Sequence, residues 1–286
     1  MNRLSDIGTI RELLSRHGFT FSKALGQNFL INPTVCPRMA QESGAGPGVG
    51  VIEVGPGVGV LTNELCQLAE KVVAVELDKR LLPVLDETLA EYDNVKIVNG
   101  DVLKLDLNRL IAEEFPGMEV VVCANLPYYI TSPVIMKLLE DRLPVKAITV
   151  MVQKEAAQRI CAEVGSRMSG AVTVSVNYYA EPEMLFGVSA GSFMPAPKVD
   201  SAVIRLNVLS EPPVKTDEAL FFEVVKAAFS QRRKVITNSL SAGLHRPKEE
   251  ITGVLTKAGV PLNARAEALR LSDFAAIANC LKEETS

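Results

Sequence analysis

Short apolar runs rich in β-branched residues recur through the first half of the chain, each followed by a turn of glycine or polar residues. Val51-Ile52-Glu53-Val54, Val72-Val73-Ala74-Val75, Val95-Lys96-Ile97-Val98, Val120-Val121-Val122-Cys123 and Ala147-Ile148-Thr149-Val150-Met151-Val152 read as five strands. Helical spacing over 61–70 and 79–91 separates the first three. Strands rich in β-branched residues that alternate with helices predict a parallel sheet covered on both faces. Ahead of the sheet, Leu4, Ile7, Ile10, Leu13 and Leu14 recur at helical spacing, and a loop follows. A helix is expected to start near Asn32-Pro33, where Asn can cap and Pro can occupy the first turn. The segment 171–179 stays open: it alternates like a strand, and its length up to Tyr179 also suits a helix. Met184 to Val188 and Ser201 to Val208 are strand-like and flank the proline-rich Phe193-Met194-Pro195-Ala196-Pro197. Glu211-Pro212-Pro213 is a linker candidate. Beyond it, 218–229, 231–242, 248–258, 263–269 and 272–282 read as helices. The expectation is an α/β domain over 1–208 and a small all-α domain over 209–286.

Composition narrows the function classes. At 286 residues, 48% apolar and 22% charged, the chain can bury a sizeable core without staples. The net charge of −4 gives no global positive field, so a nucleic-acid site must come from local clustering. The five cysteines form no CxxC pair, and the start Met1-Asn2-Arg3-Leu4-Ser5-Asp6 is not signal-like; both point to a reducing cytoplasm and free thiols. Only His17 and His245 are present, without metal-ligand company, which argues against a zinc site or a Ser-His-Asp hydrolase. The apolar runs fall short of the roughly 18 residues a membrane span needs.

Candidate chemistry lies at the strand ends. Glu53-Val54-Gly55-Pro56-Gly57-Val58-Gly59 follows the first strand, and its glycines let backbone turn sharply against a ligand. The spacing is GxGxG, whereas a dinucleotide fingerprint wants GxGxxG, so another adenosine-containing ligand is favoured over a pyrophosphate. A turn that merely packs helix on strand is the bland alternative. Glu76, 21 residues after Gly55, ends the second strand, where a carboxylate can accept both ribose hydroxyls. Asp101, in Asn99-Gly100-Asp101, ends the third and can accept from an adenine amino group. Taken singly each acid reads as a helix cap or a solvated turn residue, and jointly they form a binding rim. Asn125-Leu126-Pro127-Tyr128 follows the fourth strand. The Asn125 oxygen and the Leu126 or Pro127 carbonyl can accept the two N–H bonds of an exocyclic amine, and Tyr128 can stack on its ring for about 1–3 kcal/mol. A capping turn with a buried tyrosine would leave the same residues.

With these residues in hand, the chain resembles the KsgA/RsmA family of small-subunit ribosomal RNA adenine N6-dimethyltransferases. The match runs from about residue 20 to 240 and includes Lys23-Ala24-Leu25-Gly26-Gln27-Asn28-Phe29-Leu30, Glu53-Val54-Gly55-Pro56-Gly57, Asn99-Gly100-Asp101, Asn125-Leu126-Pro127-Tyr128-Tyr129, Phe193 to Ser201 and Gln231-Arg232-Arg233-Lys234. The resemblance implies a Rossmann-like class I methyltransferase sheet of seven strands, one antiparallel near the edge, with a C-terminal helical domain. It turns 171–179 towards helix. It implies S-adenosylmethionine held by Asn28, Leu30, Gly55, Gly57, Glu76, Asp101 and Asn125, with Glu76 on the ribose and Asp101 on the adenine. Catalysis falls to Asn125, Leu126, Pro127 and Tyr128, with Phe193 as a second aromatic beside the flipped base. No protein nucleophile and no metal is required, because holding the amine and the sulfonium methyl at near-attack distance does the work. The implied product is two methyls on each of two adjacent adenosines in a 16S rRNA loop near the 3′ end, made by a cytoplasmic monomer acting on the small (30S) subunit.

Local charge fits an RNA partner. Residues 224–248 carry Lys226, Arg232, Arg233, Lys234, Arg246 and Lys248 and no acid, and residues 1–41 add a smaller excess. Of these, Arg232, Arg233 and Lys234 are the expected RNA contacts. Four other readings remain, of which DNA adenine methylation is a weaker one because its usual motif carries a second proline where Leu126 stands. A macrolide-resistance type 23S rRNA adenine methyltransferase shares most of these motifs but tends to be more basic than a pI of about 5.5. A non-catalytic ribosome-assembly factor could keep the fold. A covalent mechanism at Cys123, for pyrimidine C5, lacks a basic neighbour in sequence to lower the thiol pKa.

Overall fold

The computed structural model describes residues 4, 6–19, 28–231 and 233–285. In chain order its elements are α1 (Ile7–Arg16), β1 (Phe29–Leu30), α2 (Val35–Glu42), β2 (Val49–Val54), α3 (Val60–Cys66), β3 (Lys71–Glu76), α4 (Leu82–Thr88), β4 (Val95–Asn99), α5 (Leu107–Glu114), β5 (Glu119–Asn125) and α6 (Thr131–Glu140). They continue as β6 (Ala147–Gln153), α7 (Lys154–Ile160), α8 (Ala171–Tyr179), β7 (Ala180–Val188), β8 (Phe193–Met194), β9 (Ser201–Val208), α9 (Glu218–Phe229), α10 (Ile236–Leu244), α11 (Lys248–Lys257) and α12 (Leu271–Thr285).

Seven strands form one sheet in the order β4-β3-β2-β5-β6-β9-β7, and β1 pairs with β8 as a separate two-stranded ribbon. Pairings from β4 to β6 are parallel; β9 runs antiparallel to β6, second from the edge. The five apolar runs of the sequence are the five parallel strands. Val51, Ile52, Val72, Val73, Val122, Ile148 and Val150 are buried because helices cover both faces. Strand order reverses at β2, with β3 and β4 on one side and β5 and β6 on the other. Such a switch point opens a crevice at the carboxyl ends of the strands.

Four expectations are corrected in detail. The helix expected at Asn32-Pro33 starts at Val35, because Asn32 Oδ1 accepts from both the N–H (3.1 Å) and the hydroxyl (2.9 Å) of Thr34 and closes a turn first. The segment 79–91 splits into a 3-10 turn over Lys79–Leu81, capped by Asp78, and α4. The segment 231–242 begins its helix only at Ile236, after a turn in which the Lys234 N–H donates to the Gln231 carbonyl. The segment 263–269 holds only a 3-10 turn over Ala266–Ala268. The open segment 171–179 is helix α8, entered from Gly170, whose N–H donates to Thr173 Oγ1 at 3.0 Å.

The chain divides into two compact units, Met1–Ala157 with Pro182–Val208, and Gln158–Glu181 with Leu209–Ser286. Residues 158–181 thus belong with the helical unit and not with the 1–208 block. The reason is aromatic packing: the Tyr178 ring lies 4.7 Å from Phe221 and 5.0 Å from Phe222, and Tyr179 stacks on Phe222 at 5.4 Å. Tyr178 and Phe221 are fully buried, so α8 supplies core to α9. In the sheet-bearing unit, α1 is capped by Asp6, which accepts from the Thr9 N–H at 2.9 Å. Its buried face of Ile10, Leu13 and Leu14 packs with Phe19, Phe29 and Val58. No helix among the described residues is long and apolar enough to cross a membrane.

Candidate active site

A cavity of about 1180 Å³, counted out to its open mouth, lies at the carboxyl ends of β2, β3 and β5. The β2 turn contributes Gly55 and Gly57, the end of β3 Glu76, and the turn after β4 Asp101. The end of β5 contributes Asn125, Leu126, Pro127 and Tyr128, while Asn28 and Leu30 enter with β1 and Phe193 with β8. Every catalytic and cofactor residue expected from sequence therefore lines one cavity in the sheet-bearing unit.

The turn after β2 is shaped by backbone demands. Gly55, Gly57 and Gly59 have φ of 71°, 62° and 88°, a region that side chains with a Cβ adopt at a cost. At Gly57 a Cβ would also come within 3.1 Å of the Phe29 ring. The turn is pinned from two directions: the Gly55 N–H donates to the Val75 carbonyl (3.0 Å), and the Gly57 N–H donates to Glu76 Oε2 (3.3 Å). Glu76 Oε1 in turn accepts from the Asp78 N–H at 2.7 Å. Burial raises the Glu76 pKa, against the backbone N–H donors of Asp78 and Gly57, which lower it. The carboxylate is thus held in place by two backbone donors and retains lone pairs for hydroxyls. Asp101 holds its own turn, its Oδ1 accepting from the Leu103 N–H at 3.0 Å, and remains partly exposed.

The Asn125-Leu126-Pro127-Tyr128 corner leaves its acceptors unequal. The Pro127 carbonyl already accepts from the Ile130 N–H (3.1 Å) and the Thr131 hydroxyl (3.4 Å), which close the 3-10 turn over Tyr128–Ile130. The Leu126 N–H is anchored to the Met151 carbonyl at 3.2 Å, and the Leu126 side chain is buried. Neither the Leu126 carbonyl nor the Asn125 side-chain amide has a hydrogen-bond partner among the described residues. Of the two carbonyls left open by the sequence, geometry leaves Leu126 available and commits Pro127. The Tyr128 hydroxyl bonds Ser201 Oγ at 2.6 Å, so its ring is tethered.

Glu53 was not among the expected site residues. It is 1% exposed, lines the cavity, and its Oε2 is buried without a hydrogen-bond partner. Burial pushes its carboxyl up to about 8; the facing Thr62 hydroxyl offsets part of this, and Glu76 adds repulsion. The signal was legible: a carboxylate inside an otherwise apolar, fully buried strand needs a partner. Leu77 and Tyr129, both about half exposed, also line the cavity; Tyr129 stands in the matched motif without an assigned role, and nothing in the sequence pattern marks Leu77 out.

These residues fit S-adenosylmethionine. Glu53 Oε2 is an unmet acceptor for a cationic group, Gly55 opens on space where a Cβ would meet nothing within 4 Å, and Glu76 offers fixed oxygens to a ribose. Cys123 does not suit nucleophilic work, because it is buried and burial pushes its thiol well above the usual value. Among the described residues no group of three His, Cys, Asp or Glu is placed to hold a metal ion.

The expected RNA contacts lie elsewhere, in the helical unit. Arg233 and Lys234 are exposed just before α10; Arg232 lies outside the described residues. The surrounding patch is thinner than its sequence count, since Arg246 pairs with Glu250 at 2.6 Å. Near the N-terminus, Arg16 pairs with Glu87 and Arg38 with Glu42, which likewise reduces the free positive charge.

Comparison with known proteins adds three findings. A model of the ribosomal RNA adenine dimethylase family matches residues 18–283. Proteins called ribosomal RNA small subunit methyltransferase A are 48% identical in Geobacillus sp. strain WCH70, over 96% of each chain, and 45% identical in Alkaliphilus oremlandii, over 99% of this chain and 100% of the other. Among solved structures, a dimethyladenosine transferase from Plasmodium falciparum superposes with a TM-score of 0.73 at 25% identity, covering 90% of this chain and 98% of that one. The 23S rRNA methyltransferase ErmE superposes with a TM-score of 0.66 at 29% identity, covering 89% and 100%.

Proposed function

The chain belongs to the ribosomal RNA adenine dimethylase family, and from that premise we propose that it dimethylates N6 of two adjacent adenosines in a 16S rRNA loop near the 3′ end of the small ribosomal subunit. The observation that carries the reading is the corner after β5. Among the described residues, one side-chain oxygen, at Asn125, and one peptide oxygen, at Leu126, stand unengaged at the cavity that holds the glycine turn and the acidic rim.

S-adenosylmethionine supplies the activated methyl group. Glu76 and Asp101 hold its adenosine, with Asn28, Leu30, Gly55 and Gly57 shaping the remaining wall, and Glu53 meets its cationic end. Asn125 and Leu126 accept the two N–H bonds of the target amine. That favours a pyramidal nitrogen whose lone pair faces into the cavity, since in the free base the pair is delocalised into the ring. Tyr128 and Phe193 form the aromatic walls for the base, and Pro127 fixes the turn. Orientation of the two centres in one cavity is the source of the rate. The target must leave its stack, which costs least in a loop.

Catalysis is assigned to the sheet-bearing unit and contact with the RNA backbone to the helical one, through Arg232, Arg233 and Lys234. The protein acts as a cytoplasmic monomer in small-subunit biogenesis. The small subunit is preferred over the 23S rRNA target of ErmE because the relatives at 45–48% identity carry the small-subunit name, whereas ErmE stands at 29%.

The test is transfer of labelled methyl from S-adenosylmethionine to undermethylated small subunits and, separately, to large subunits, followed by nucleoside analysis. N6,N6-dimethyladenosine in the small subunit alone is expected. Label in the large subunit would favour the macrolide-resistance reading, and binding without label a purely architectural role.

A further inference from the structure

Two aromatic walls of the cavity come from segments far apart in sequence, Tyr128 after β5 and Phe193 on β8. They are referred to two adjacent residues, Tyr128 to Ser201 at the start of β9 and the Phe193 loop to Asp200 just before it. Ser201 is fully buried, and its Oγ lies 2.6 Å from the Tyr128 hydroxyl. Its place is set by strand register, opposite Gln153 at the end of β6. The preceding Asp200 accepts the Lys154 N–H on its carbonyl at 3.0 Å, which extends that register by one bond. Asp200 Oδ1 also accepts the Ala190 N–H at 3.0 Å, closing the base of the loop that carries Phe193. At the loop's far side Phe193 is held opposite Leu30, and the Ser192 carbonyl accepts the Ile31 N–H at 2.8 Å.

The consequences for the two rings differ. Phe193 is 3% exposed and packed in the core, so its ring is fixed by its neighbours. Tyr128 sits on a short 3-10 turn, only partly buried, and among the described residues its side-chain hydrogen bond is the one to Ser201. A ring on a turn of that kind keeps rotamer freedom unless its far end is tied.

We infer that Ser201 is a positioning residue for methyl transfer, acting through its hydrogen bond to the Tyr128 hydroxyl to hold the ring against which the target base stacks. The hydroxyl of Tyr128 thus serves as an anchor point and not as an acid or base. Ser201 itself reaches neither donor nor base. Cutting the tether leaves the ring present but mobile, so fewer bound substrates sit in the reactive geometry. The cost falls on turnover, while the cofactor, held by the glycine turn and the acidic rim, binds as before.

Since Tyr128 matters here only as a wall of the methyl-transfer site proposed above, the experiment must separate the two ideas. Wild type, Ser201→Ala, Tyr128→Phe and the double variant are compared for single-turnover methyl transfer to undermethylated small subunits, with cofactor Kd and subunit KM measured on each. Ser201→Ala and Tyr128→Phe should each lower the transfer rate about three- to tenfold, the loss of one neutral hydrogen bond, with cofactor Kd unchanged. In the Tyr128→Phe background Ser201→Ala should add less than about twofold, because the bond is already gone. A Ser201→Ala enzyme as fast as wild type, or losses that multiply in the double variant, would overturn the tether. If Ser201→Ala does not fold, Tyr128→Phe cuts the same bond from the partly exposed side, and full activity there overturns it equally. Failure of wild type itself to transfer methyl would instead count against the proposed function.

Discussion

Replacing Glu53 by Gln should change how the stability of this protein depends on pH. The carboxyl is 1% exposed with one oxygen unpartnered, and burial pushes it from 4.5 to about 8. Below the unfolded-state value both states carry the proton and the group costs nothing extra. As pH rises the unfolded chain loses its proton first, so unfolding is favoured progressively until pH passes the folded value near 8. At about 1.36 kcal/mol per unit, the upper limit of this loss is about 5 kcal/mol. Gln keeps the shape and cannot ionise, and any cost of burying its amide is the same at every pH. Urea unfolding of both proteins, followed by far-ultraviolet circular dichroism because the chain has no tryptophan, gives the difference in unfolding free energy between about pH 5 and about pH 9. Groups common to both proteins cancel in that difference. The variant should gain at least about 2 kcal/mol relative to wild type across the range. A gap between the two proteins that stayed constant with pH would show that Glu53 is not a protonated, buried acid, and the reasoning from burial would fail with it.

Asn125→Ala should lower methyl transfer by about a hundredfold or more, on the scale of removing one hydrogen-bond partner of the reacting group, with the cleanly folded protein still binding RNA; a rate equal to wild type would reject the corner after β5 as the amine site. Glu76→Gln should weaken cofactor binding in calorimetry, because one of the two oxygens offered to the ribose becomes an NH₂ facing a backbone N–H donor, and unchanged affinity in a folded variant would reject the ribose assignment. Gly57→Ala should cost about 1–3 kcal/mol of stability from its positive φ and also raise cofactor Kd, since the new methyl meets Phe29 at 3.1 Å; tight cofactor binding would show that the turn has room to spare. Neutralising Arg233 and Lys234 together should reduce the slope of log affinity for RNA against log salt by roughly 1 to 2, and an unchanged slope would remove them from the interface.

The sequence by itself determined the sheet and the identity of the site. Runs rich in Val and Ile have almost no polar face to show to water, so four of the five parallel strands they became are covered on both sides, and only the edge strand β4, which carries Lys96, stays partly exposed. Once those strands are parallel, their ends are forced to one edge, which brings Gly57, Glu76, Asp101 and Asn125 to one cavity although up to 68 residues separate them. Chemistry confined to strand ends is legible for that reason. What the pattern left open were properties of pairing and packing. Residues 171–179 alternate well enough for a strand, and only the fit of Tyr178 and Tyr179 against Phe221 and Phe222 makes them a helix of the second unit. The free carbonyl of the Asn125-Leu126-Pro127-Tyr128 corner is a matter of which oxygen the next turn consumes, and Ile130 consumes that of Pro127. The tie between Tyr128 and Ser201 depends on the antiparallel register of β9 with β6, a long-range pairing that no local stretch of sequence encodes. The isolation of Glu53 inside that apolar layer is likewise a property of the folded layers: a carboxyl in water is unremarkable until helices on both faces remove its solvent.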